Sequence, residues 1–171
     1  MLNRYTTKLF LSLSLLCIII LVFSTYCLSA ETVTVHGHSG HIEYKDRVDG
    51  DRQFLGWGLD FNQSPGLGNW IHYSLPVPLF SEVRYIALRF QTGSIDVSIT
   101  TVDIFDGSTR IFRDDGLNLS GDKQWYLVDM GEAKLIDEAL GVSIEVGAGV
   151  EMMSHRVQIH SVATLWEESS P

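Results

Sequence analysis

From residue 31 onward, apolar and polar residues alternate along the chain with a period of two. Val33 and Val35 alternate with Thr32, Thr34 and His36. Ile86, Leu88 and Phe90 share one parity, and Val142, Ile144, Val146 and Ala148 alternate with Ser143, Glu145 and Gly147. Successive side chains of a strand point to opposite faces, so each run predicts a half-buried β-strand. Two runs change phase midway. Ile95, Val97 and Ile99 hold one parity and Val102 and Ile104 the other, while Val157 and Ile159 give way to Val162. A one-residue slip sends every later side chain to the opposite face. One β-bulge is therefore expected near Thr100-Thr101 and another near His160-Ser161.

Turn signals separate the runs at Asp49-Gly50-Asp51, Ser64-Pro65-Gly66, Asp106-Gly107, Asp115-Gly116 and Gly121-Asp122. About eight to ten short strands at this spacing predict an all-β fold, a two-sheet antiparallel β-sandwich of jelly-roll-like type. At most one short helix is expected. Its place is Glu132 to Leu140, where Leu135, Ile136, Ala139 and Leu140 cluster on one side, with an irregular connection as the alternative. Pro76-Val77-Pro78 should end a strand or follow a sheet edge, because proline cannot donate to a central ladder.

Residues 1–30 differ in kind from the rest. Arg4 and Lys8 precede an uncharged stretch from Leu9 to Leu28, and small residues follow at Ser29 and Ala30. These are the parts of a secretory signal peptide cut after Ser29 or Ala30. An uncleaved anchor is the rival reading, since about 20 apolar residues also span a bilayer. Residues 31–171 hold no linker, charge run or repeat and read as a single domain. Both cysteines, Cys17 and Cys27, fall in the leader, so the mature part has no disulfide, thiol nucleophile or cysteine zinc site.

The full chain carries 12 basic and 21 acidic residues, net −9; removing Arg4 and Lys8 leaves 10 against 21, or −11. A surface of this sign repels phosphate, which argues against nucleic acid and anionic membranes as partners. Membrane contact is expected only through residues 9–28, if the leader stays attached. The expected location is secreted or extracytoplasmic, at the cell surface.

Several short motifs stand out within residues 36–144. They are His36-Gly37, Gly56-Trp57-Gly58-Leu59-Asp60-Phe61, Asn69-Trp70-Ile71-His72 and the closing Pro76-Val77-Pro78. Asp106-Gly107, Leu119-Ser120-Gly121-Asp122 and Leu140-Gly141-Val142-Ser143-Ile144 follow. On these residues the chain resembles a family of small exported β-sandwich domains of unknown function. The resemblance implies the fold already read from the pattern. It implies no activity and no catalytic residues, and His38 and His41 lie outside the motif.

Two constellations carry candidate chemistry. Trp57, Asp60, Asn69, Trp70, His72 and Tyr73 bring indoles and a phenol together with an amide and a carboxylate. Exposed, these could stack on a sugar ring and bond its hydroxyls; buried, they are core. His36, His38 and His41 could converge on Zn²⁺ or Cu²⁺, which accept imidazole nitrogen, or stand as solvated residues of a strand and turn. Asp114-Asp115-Gly116 with Asn118 and Asp122 offers oxygen ligands for Ca²⁺, although the spacing does not fit an EF-hand. No Gly-x-Ser-x-Gly elbow, His-Glu-x-x-His, P-loop or dinucleotide fingerprint occurs, so no residue is assigned as catalytic and no cofactor is required.

The first reading is therefore an exported, non-enzymatic binding or surface protein with a glycan or protein ligand. A small metal-binding protein or metal-dependent enzyme built on the histidines is the second. A structural envelope component is the third.

Overall fold

The computed structural model describes residues 31–168, and the leader read as a signal peptide or anchor lies outside the described residues. Alternating Val, Ile, Leu and Phe positions pair into eleven strands that make up 68% of the structure, against the usual fifth to a quarter. The strands are β1 (Glu31–His36), β2 (His41–Ile42), β3 (Val48–Leu55), β4 (Gly58–Gln63), β5 (Gly68–Leu75) and β6 (Ser81–Thr92). They continue with β7 (Val97–Asp106), β8 (Thr109–Asp114), β9 (Gln124–Ile136), β10 (Leu140–Ala148) and β11 (Arg156–Glu168). Every pairing is antiparallel.

One sheet runs in the order β3-β4-β11-β6-β9, and the other in the order β2-β5-β10-β7-β8. Strand β1 joins the first sheet along the edge of β11 that β4 also uses. β4 covers Arg156 to Ile159, and β1 covers Ser161 to Trp166. The inward parity of each sheet forms a single core. Leu59, Phe61, Ile86, Leu88, Phe90 and Ile159 of the first sheet meet Ile71, Ile99, Ile104 and Ile144 of the second, all 0–2% exposed. Each such side chain removed from water contributes roughly 1.5–3 kcal/mol, so the pattern of alternation is also the main source of stability.

Both predicted bulges are present. The register of β7 against β10 slips between Ile99 and Thr101, leaving Thr100 as the extra residue. The register of β11 against β6 slips between Ile159 and Ser161, leaving His160 unpaired. The helical candidate at 132–140 is corrected: Glu132 to Ile136 extend β9, and residues 137–139 turn into β10. Asp106 explains the turn. Its carboxylate accepts the N–H groups of Asp137 (2.9 Å), Glu138 (2.8 Å) and Ala139 (3.0 Å) from across the sheet. Burial pushes this carboxyl up, but the three backbone donors outweigh it and hold the group below the usual carboxylate range.

The bulge at His160 is where the chain packs tightest. Gly37 lies in a 3-10 turn (Gly37–Ser39) between β1 and β2 and is buried against the Ile159 carbonyl. Gly58, at φ +154°, presses on the same carbonyl and on His160 Cα from the start of β4. A Cβ at either position would overlap backbone, which cannot step aside. Tyr73 completes the cluster, its buried hydroxyl donating to the Gly37 carbonyl at 3.0 Å.

Two outcomes follow. Gly37→Ala and Gly58→Ala should each lower stability by about 3 kcal/mol, whereas Gly56→Ala, with nothing within 4 Å of its Cβ, should change it by no more than about 0.5 kcal/mol; urea midpoints compare the three. Because the folded-state value of Asp106 lies below the unfolded one, its stabilisation is full above about pH 4 and is lost as pH falls through the folded value. Asp106→Ala should therefore cost about 2 kcal/mol at pH 7 and flatten the acid limb of a stability–pH curve.

Candidate functional site

The bulge turns the His160 side chain into a shallow cavity of about 590 Å³ on the outer face of the six-stranded sheet. His160 has no strand partner on β6, and on its other side it sits where β4 stops and β1 begins. Its Nδ1 bonds the Trp57 carbonyl at 3.0 Å, which places the ring proton on Nδ1 in the neutral imidazole. Nε2 is then left buried in the wall of the cavity without a hydrogen-bond partner. Buried polar atoms are nearly always satisfied, so this orphan, on a residue that lines the concavity, sets the place apart.

Side chains around His160 follow the strand register. His36, Ser161, Arg89 and Trp125 lie opposite one another on β1, β11, β6 and β9, a row of about 14 Å at the usual strand spacing. Gln158 and Gln91 pair in the neighbouring row and line the same cavity, the amide of the buried Gln158 being taken up by neighbouring side chains. One indole lines it, and a second stands beside its Arg89. Trp57, 41% exposed, sits at the tip of the β3-β4 hairpin with its ring 5.8 Å from that of His160. Trp125 is 62% exposed, and the Arg89 guanidinium lies 5.5 Å from its centroid. Trp125 was not among the residues singled out from the sequence. The parity of Val128 and Met130, both buried, places it on the outward face and could have found it.

The other expected site residues are distributed differently. Asp60 is buried on the same sheet and is bonded by Arg156, whose Nε reaches it at 2.9 Å. Asn69 is fully buried and bonds both the N–H (3.0 Å) and the carbonyl (2.9 Å) of Tyr44. Tyr73 is buried as described, and burial pushes its hydroxyl far above the usual tyrosine range. Trp70 and His72 belong to β5, so they lie on the outer face of the opposite sheet. The structure thus leaves Trp57 alone of the six in the cavity.

On that opposite face the polar groups satisfy one another. Glu145 accepts from Thr101 (2.6 Å) and Thr100 (3.0 Å), and Asp103 accepts from Arg113 (2.7 Å). Ser143, His72 and Glu43 line up as hydroxyl, imidazole and carboxylate, with separations of 2.8 and 3.1 Å. This order suggests a nucleophilic triad. Yet Ser143 lies within β10, which is paired on both sides, so the neighbouring N–H groups belong to ladders and face no oxyanion.

The histidine expectation is corrected by the turn at Gly37. His36 ends β1 in the first sheet and His41 begins β2 in the second. His36 and His38 do stack, with centroids 4.5 Å apart, but His36 Nδ1 accepts the His38 N–H at 3.3 Å. Among the described residues no three histidine or carboxylate groups gather around a common point. The same holds for the acidic loop. Asp114 accepts from Tyr126 at 2.6 Å, and burial together with that carboxylate pushes the phenol up to about 12. Micromolar Zn²⁺ or Cu²⁺ should accordingly shift the thermal midpoint of the wild type no further than that of His38→Ala, as read by differential scanning fluorimetry at pH 7.5.

No family model and no curated protein matches the chain. Solved structures do. A xylan-binding module from Roseburia intestinalis superimposes with a TM-score of 0.52 at 12% identity, covering 78% of this chain and 94% of that one. A family 35 carbohydrate-binding module from Clostridium thermocellum gives 0.46 at 12% identity, covering 78% and 98%. The C-terminal carbohydrate-binding module of a marine laminarinase from Zobellia galactanivorans gives 0.46 at 13%, covering 78% and 99%. At 12% identity the likeness to the xylan-binding module is one of fold alone, a β-sandwich.

Proposed function

We propose that this chain is an exported, non-enzymatic β-sandwich that binds a glycan on the outer face of its six-stranded sheet. The observation that carries the reading is the concavity at the unpaired His160, lined by the exposed Trp57, with the exposed Trp125 beside its Arg89. A pyranose ring presents an apolar face of C–H groups and a rim of hydroxyls. An indole suits the first, and the Gln91 amide and Ser161 hydroxyl suit the second. On the opposite sheet the carboxylates, hydroxyls and imidazole around His72 and Glu145 are bonded to each other. The fold shared with a xylan-binding module supports the reading, as does the signal-like composition of residues 1–30.

Affinity electrophoresis through gels holding single polysaccharides tests it. At least one polymer should retard the wild type, and Trp57→Ala or Trp125→Ala should weaken that retardation by about tenfold or more, as loss of an aromatic anchor does. Neither change should unfold the domain, since both rings are exposed and the Trp57 carbonyl that orients His160 is backbone. Trp70→Phe, on the opposite sheet, should bind as the wild type does. Retardation lost only with Trp70 would place the site on the other face.

A further inference from the structure

The cavity differs in charge from the molecule that carries it. The chain has a net charge of −9, yet the residues lining the cavity include Arg89 and Lys123 and no aspartate or glutamate. Of the ten lysines and arginines among the described residues, five (Arg84, Arg110, Arg113, Lys134 and Arg156) hold carboxylates in ion pairs. Of the other five, Arg89 and Lys123 face this one concavity. Each is also held in place. The Arg89 guanidinium lies over the Trp125 ring, and Lys123 follows Gly121-Asp122 with a left-handed backbone, φ +47°. A non-glycine residue is rarely kept in that conformation, and such strain concentrates where a side chain must be aimed.

Resting on the glycan reading above, we infer that the ligand is an acidic saccharide whose sugar residues carry carboxylates, that is, a uronic-acid polymer. The planar guanidinium of Arg89 presents two parallel N–H groups that match a carboxylate, and Lys123 adds a second positive charge beside it. Trp57 takes a ring face, and the Gln91 amide and Ser161 hydroxyl meet hydroxyls. A neutral polymer would leave the two cations without an anion. A bare phosphate or sulfate ion would leave the indoles without a surface. A uronate supplies both. The negative charge of the rest of the molecule then confines acidic polymers to this face by repelling them elsewhere.

The test uses the domain of residues 31–171 and calorimetric titration with polygalacturonate, with its fully methyl-esterified form, with neutral xylan and with dextran sulfate. Polygalacturonate should bind about tenfold or more tightly than its methyl ester, as expected for a charge-assisted bond, and its affinity should fall as salt rises. Arg89→Gln should collapse the acid-to-ester ratio towards one, and Lys123→Gln should reduce it. Lys123→Gln also serves if the arginine variant does not fold. Equal affinity for acid and ester overturns the acidic ligand but leaves the glycan reading standing. Binding of neutral xylan alone has the same meaning. Tighter binding of dextran sulfate than of polygalacturonate overturns the carboxylate assignment in favour of sulfate. Binding of no polymer by the folded domain overturns both readings together.

Discussion

The close approach of three backbones at Ile159 is the constraint around which this molecule is arranged. Two glycines, distant in sequence, press on one carbonyl, and only glycine can occupy either place. That contact lets β1 and β4 share a single edge of β11, one after the other. The gap between them, and the bulge opposite, expel one residue from the ladders. His160 is that residue, and the cavity exists because it has been expelled. The His36-Gly37 and Gly56-Trp57-Gly58 motifs thereby acquire a shared physical reason: Gly37 and Gly58 allow the contact, and their neighbours His36 and Trp57 line the hollow it creates. Tyr73 ties the Asn69-to-Tyr73 strand of the other sheet to the same point through the Gly37 carbonyl.

Much of this architecture was legible in the alternation of residues, because burial on one face of a strand is a local property with a fixed period. Even the bulges could be read, since a change of phase at Thr100 or His160 has no other simple origin. What could not be read is which strand lies in which sheet. Trp57 and Trp70 are close in sequence, but the four residues 64–67 carry the chain from one sheet to the other, and the two indoles end on opposite faces. The histidines fail to meet for the same reason. Only residues 37–40 separate β1 from β2, and in them a 3-10 turn breaks the period and changes sheet.

The remaining differences arise from long-range partners. Residues 132–140 have a helical spacing of apolar side chains, but Leu135 is exposed and Ile136 and Leu140 are buried as the end of one strand and the start of the next. The connection is set by the Asp106 carboxylate, about 30 positions earlier in the chain, a partner no local pattern can name. Trp125 shows the converse case. Its outward parity was present in the sequence, but its importance depends on Arg89, which only the pairing of β6 with β9 brings beside it.

The pairing of β1 with β11 also decides how the domain can be mounted. Glu31 lies opposite Trp166, so the first and last strands leave the sandwich at one pole. From that pole to the row holding Ser161 is five residues along β11, about 17 Å. A stalk, a neighbouring domain or a bilayer joined at Glu31 would therefore approach from beyond the far end of the sheet, and the His160 hollow would stay clear of whatever the domain is tethered to. A polymer running across the strands at Ser161 would pass over the side of the sandwich, at right angles to the tether.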